Sequence, residues 1–140
     1  MANPGAASTT TNHPSNLATN QALRLIASAQ GVNLNLVADT LAPILVSGRV
    51  SVAYVVLSNA STSLTTAAFA VYTGAGATGT AVLSATTPTG ATTAAKVVNT
   101  AASSTDAITG GNLYIRNTTV QGAAATADVF IYGYDLTFLP

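Results

Sequence analysis

No cysteine, glutamate or tryptophan occurs in these 140 residues, and histidine occurs once. The missing cysteine excludes disulfides, thiolate metal sites and a cysteine nucleophile. Zinc needs three or four converging nitrogen, sulfur or carboxylate ligands, and the lone His13 cannot assemble such a set. Calcium would have to draw on Asp39, Asp106, Asp128 and Asp135, which form no close acidic loop. No metal or other cofactor is expected.

Charge is scarce as well. Asp, Lys and Arg make up 6% of the chain, against roughly 25% charged residues in ordinary soluble domains. The cations Arg24, Arg49, Lys96 and Arg116 are scattered. They build no basic stripe, so binding to nucleic acid lacks its main energy source. Formal net charge is zero, which favours association and lets many copies sit close together at little Coulombic cost. Residues 50–95 carry no charge at all. Ser, Thr, Asn, Gly and Pro nevertheless interrupt that stretch, and its long apolar run, Val52 to Leu57, is strand-sized. No membrane span is expected. The start, Met1 to Gly5, has no charged region followed by an apolar run, so no signal peptide is expected.

What is present is strand patterning. A chain of this length can bury roughly 68% of its unfolded surface, enough for one domain without staples. Residues 1–20 are mainly Ala, Ser, Thr, Asn and Pro. They read either as a disordered tail or as an arm that orders against a neighbouring subunit. Ala22 to Ala29 suits a strand better than a short helix, with Gln30-Gly31 as a hairpin turn into Val32-Asn33-Leu34-Asn35-Leu36. Val32, Leu34 and Leu36 share a face of that segment. Pro43 marks an edge or break. Arg49 to Leu57 is rich in β-branched residues, with Val50, Val52, Tyr54 and Val56 expected on one face. Further strands are expected at Ala67 to Thr73, Thr80 to Ala85, Lys96 to Asn99, Asn112 to Thr118 and Ala127 to Phe138. The last places Phe130, Tyr132, Tyr134, Leu136 and Phe138 on one parity, for the core or a subunit interface. Short strands punctuated by Gly and Pro predict an all-β, antiparallel, jelly-roll-like β-sandwich of about eight strands over 21–140, preceded by an extended N-terminal arm over 1–20.

Motifs that carry chemistry fail one after another. Gly74-Ala75-Gly76-Ala77-Thr78-Gly79 matches the dinucleotide fingerprint GxGxxG. No helix pattern follows it, and the next acid, Asp106, is too far on, so it reads as a hairpin loop. Serine and threonine hydroxyls are abundant but have no positioned base. Thr93-Ala94-Ala95-Lys96 loosely matches a nucleophile-x-x-Lys arrangement, yet Lys96 reads better as a charge on a strand edge. Asp128 and Asp135 have opposite parity and should point to opposite faces. The triplets Asn59-Ala60-Ser61 and Asn117-Thr118-Thr119 read as polar loop residues. No catalytic residues, and no enzyme, are expected.

Three stretches carry a resemblance. The first runs Val-Leu-Ser-Asn-Ala-Ser-Thr-Ser-Leu-Thr-Thr-Ala-Ala over 55–68, after Asp39-Thr40 and a β-branched strand. The second is Phe-Ala-Val-Tyr-Thr with its Gly-rich continuation over 69–81. The third is Leu-Tyr-Ile-Arg at 113–116 followed by 119–136. Over 22–138 the chain resembles small virion proteins of tailed bacteriophages, the capsid decoration or cement proteins. The resemblance implies a sandwich or jelly-roll body and homo-oligomers, commonly trimers. It also implies attachment to the major capsid protein on the outer virion surface, after synthesis in the host cytoplasm.

On that reading the interface candidates are Leu23, Arg49, Arg116, Phe130, Tyr132, Tyr134 and Phe138, with Asp106 and Asp135 as further polar handles. Alternatives are another virion subunit (coat, tail or head fibre) or a receptor- or glycan-binding module. An RNA-virus coat usually carries a basic arm, and no Lys or Arg precedes Arg24. A glycan module usually presents aromatic platforms, for which an exposed cluster of Tyr72 and Tyr114 would be needed.

Overall fold

Alternating apolar side chains fix the strands, and the strands fix two sheets. The computed structural model describes residues 23–95 and 97–137. The expected arm at 1–20 lies outside the described residues, as do His13, Lys96 and Phe138. Among the described residues the strands are β1 Arg24–Asn33, β2 Asp39–Pro43, β3 Arg49–Ser58, β4 Ala68–Gly74 and β5 Thr78–Thr86. They continue with β6 Val97–Ala101, β7 Ile108–Thr109, β8 Asn112–Thr119 and β9 Thr126–Asp135. No helix occurs among the described residues.

One sheet has the order β1-β9-β3-β6, with the two-residue β7 also paired to β3; the other has the order β2-β8-β4-β5. Every pairing is antiparallel. With β7 set aside, β8 and β9 become the seventh and eighth strands. The orders are then 1-8-3-6 and 2-7-4-5, the double-sheet arrangement of a jelly roll.

The core lies between the sheets. Phe69, Leu34, Leu57, Leu64, Leu113, Ile115 and Ile131 are all fully buried there. Each such side chain contributes about 1.5–3 kcal/mol of burial free energy. The side of the sandwich is closed by the segment after β6. Ala102 N donates to Ala53 O on one sheet, and Ser103 N donates to Val82 O on the other.

Two expectations about register are corrected. Gln30-Gly31 is not a hairpin turn, because β1 runs straight through it. Ala29 pairs with Val129 and Val32 with Ala127, so Gln30 and Gly31 together face Asp128. Two residues against one is a β-bulge. Gly31 takes a φ of +63° there, which costs a glycine little, and its N–H donates to Asp128 Oδ1 at 2.8 Å. The strand ends at Asn33, so Val32 and Leu34 are buried while Leu36 turns out to solvent.

The second correction concerns β3. Val50 and Val52 are buried, but so are Val55 and Leu57, while Tyr54 and Val56 face outward. The register slips between Val52↔Gly133 and Tyr54↔Tyr132, leaving Ala53 without a partner on β9. That extra residue switches the parity of everything after it.

Candidate interaction surfaces

Because β9 alternates, its two faces differ in kind. Ala127, Val129, Ile131 and Gly133 are buried against the core. Phe130, Tyr132 and Tyr134 point the other way, onto the outer face of the β1-β9-β3-β6 sheet. The open choice between core and surface for these aromatics is thereby decided for surface. Register places Leu25, Tyr132 and Tyr54 in one row across β1, β9 and β3, with Phe130 beside Val56 in the next. The Tyr54 and Tyr132 rings stack with centroids 5.3 Å apart and planes 24° apart. Tyr134 is 40% exposed at the end of the row. Arg49, exposed at the start of β3, lies on the same face, since Val50 beside it points inward. Leu23, just before β1, is also exposed. Phe138 lies outside the described residues.

Arg116 lies elsewhere, on β8 of the opposite sheet. Its Nη1 donates to Asp39 Oδ1 at 2.9 Å. The other carboxylate oxygen of Asp39 accepts the Gly76 backbone N–H at 2.6 Å. These contacts, the Gly76 bond foremost, hold the Asp39 carboxyl below its ordinary range. The glycine-rich run thus caps the β4–β5 hairpin, and one of its amides receives a carboxylate of the same chain. Beside this pair Leu41, Tyr114 and Tyr72 line up across β2, β8 and β4. The two tyrosines are only partly exposed, whereas Leu41 is well exposed.

Asp135 is buried and also paired within the chain. It accepts from Arg24 Nη1 at 3.1 Å, and from the Thr137 hydroxyl and N–H. The Thr137 hydroxyl is the main cause of its lowered pKa. Asp128 sits on the outer face of β9, so the two carboxylates do point to opposite sides. Asn117, expected in a loop, is instead fully buried on β8. Its Nδ2 donates to Leu36 O at 3.0 Å, tying down the segment after β1.

A third surface was not foreseen from sequence. Leu36, Val37, Leu41 and Leu45 are 56%, 49%, 49% and 62% exposed along the 36–45 segment. Bonds from Asn117 N to Ala38 O and from Gln121 N to Leu34 O hold Val120, itself exposed, close by. Half of the segment is edge strand β2, whose outer side no described strand covers over Asp39–Pro43. Leu36, Leu41 and Leu45 around Pro43 were the available signal, but a strand of five residues gives too little alternation to tell an inward leucine from an outward one.

A cleft of about 280 Å³ opens between the β4–β5 hairpin and the 104–109 segment, lined by Thr73, Thr80, Val82, Ser104, Asp106 and Ile108. It gathers hydroxyls and one carboxylate, with no imidazole or amine among its walls. Among the described residues no three His, Cys, Asp or Glu side chains converge. No protein-family model matches the chain, and no curated protein matches it in sequence.

Proposed function

We propose that this chain is a structural virion protein that decorates and stabilises the outer surface of a phage capsid by packing against the major capsid protein. The observation that carries the reading is the apolar margin of Leu36, Val37, Leu41 and Leu45 on a charge-poor jelly roll. Exposed apolar side chains grouped along one edge are the mark of a protein-docking surface. The edge is short and ends in Pro43, which blunts strand addition and leaves side-chain contact as the mode of binding. Jelly rolls serve viral capsids and also lectins and cupins, so the fold supports this reading without singling it out. Repeated attachment over a lattice makes weak single contacts effective.

The test is co-sedimentation of the purified protein with expanded shells lacking it, across a salt series. Saturable binding at the stoichiometry of a lattice position, little weakened by salt, is the expected result. An absence of binding to shells sinks the reading. A second reading, a glycan- or receptor-binding module, rests on the Leu41–Tyr114–Tyr72 row, which sets two partly exposed tyrosines opposite each other in register. A glycan array that returns a specific signal, lost in Tyr114→Ala, would favour that reading over the first.

A further inference from the structure

We infer that the outer face of the β1-β9-β3-β6 sheet is the docking surface for a second copy of this chain, packed face to face about a two-fold axis. This does not depend on what the β2 margin binds. The face is apolar at its centre, where Leu25, Tyr132 and Tyr54 form one row and Phe130 and Val56 the next. Among the described residues of β3 and β9 its charges sit at the two ends. Arg49 begins β3, and Asp128 lies level with Ser58, where β3 finishes. Among the described residues the ion pairs are Arg24–Asp135 and Arg116–Asp39, so Arg49 and Asp128 meet no opposite charge within them; Asp128 keeps its full charge while its two oxygens accept the neutral Gly31 N–H and Asn59 Nδ2.

The outward positions of β3 and β9 between those ends are Ser51, Ala53, Tyr54, Val56, Phe130, Tyr132 and Tyr134, all uncharged. The stacked Tyr54–Tyr132 pair lies near the midpoint. A two-fold axis through that pair sets Arg49 over Asp128 of the partner subunit, and does so twice. The pattern is self-complementary, which an isologous interface requires. A second copy therefore fits the face better than an unrelated partner does. A four-strand face, about 4.8 Å per strand and about 30 Å long, has a planar footprint of about 580 Å², below the roughly 800 Å² per partner of a standard interface and in the range of a reversible one. The ion pairs then set orientation, while the aromatic row supplies most of the affinity. Face-to-face pairing closes at two copies, in place of the trimer implied by the resemblance.

Sedimentation velocity of the full chain over a concentration series tests this. A reversible dimer is expected. Tyr134→Glu should weaken it by about tenfold or more, and Arg49→Glu by a smaller factor, with the thermal midpoint of each near that of the parent. The chain has no cysteine, so single thiols report geometry directly. Arg49→Cys mixed with Ser58→Cys should cross-link through a short bis-maleimide far better than either variant alone. A monomer at every concentration, a trimer, or a dimer indifferent to Tyr134→Glu would each overturn the inference. So would a Tyr134→Cys thiol that becomes reactive in a monomer only after residues 2–20 are deleted, because the chain's own N-terminal segment would then occupy the face.

Discussion

Gly133 lies so close beneath the carbonyl of Ser51 that a Cβ placed on it would sit 2.0 Å from that oxygen. The two backbones meet where Ala53 is squeezed out of register. The bulge turns the ring of Tyr54 outward to meet Tyr132, which the regular alternation of β9 already holds on that face. Gly133→Ala should destabilise the fold by at least about 2 kcal/mol, because the obstacle is backbone and cannot rotate away. Urea unfolding checks this. A midpoint unchanged from the parent would mean the strands can separate at no cost.

Gln121 holds the loop before β4 through a single side chain. Its Oε1 accepts the N–H groups of Thr65, Thr66 and Ala67, and its Nε2 donates to Ser63 O. Gln121→Ala should cost about 1 kcal/mol, because the Thr65 and Thr66 N–H groups are exposed and only the part-buried Ala67 N–H is stranded. Hydrogen exchange resolves the effect by position. Faster exchange confined to 65–67 is expected, and protection there identical to the parent would show that the loop holds itself.

Asp39 and Asp135 both have lowered pKa values in the fold. A depressed carboxylate pKa contributes stability that is fully present above the unfolded value, about 3.9, and is lost as pH falls through the folded value. Stability should therefore be flat from neutral pH down to about pH 5 and decline below about pH 4. Asp135→Asn should flatten part of that decline. Denaturant midpoints across pH 2–7 test both statements, and an acid limb equally steep in the variant would remove Asp135 as a cause.

Leu45 is the most exposed residue of the β2 margin. Leu45→Asp should leave stability within about 0.5 kcal/mol of the parent, as expected for a surface position. It should also reduce shell binding sharply, since it places an unpaired charge in a dry contact. Binding that survives both Leu45→Asp and Leu41→Asp would move the docking surface away from this edge.

Much of the sandwich was legible because long strands repeat their signal. Leu113 and Ile115 against Tyr114 and Arg116 on β8, and Val129 and Ile131 against Phe130 and Tyr132 on β9, alternate as expected. Parity within β3 was not legible. Ala53 looks like any other strand residue, and the reason for its bulge sits about 80 residues away at Gly133. The Gln30-Gly31 bulge was hidden by the same kind of long-range cause, the carboxylate of Asp128. Of the interface candidates, Phe130, Tyr132, Tyr134 and Arg49 were brought onto one face, while Arg116 lies on the other sheet, where β8 pairs with β2 and β4, and is bound to Asp39. Tyr54, Leu25 and Val56 join that face only through pairing with β9, which no local pattern encodes.

The place of β9 between β1 and β3 sets a timetable. While the chain is being synthesised, the first sheet lacks its middle strand until residues 126–135 have left the ribosome. Before then β1 has no neighbour along most of its length, and β3 has only β6 and β7. A topology dominated by such distant pairings has high contact order and folds in milliseconds to seconds rather than microseconds. The aromatic face, built from β1, β3 and β9, cannot exist on a nascent fragment. Unfinished chains therefore lack the surface through which finished ones would recognise each other.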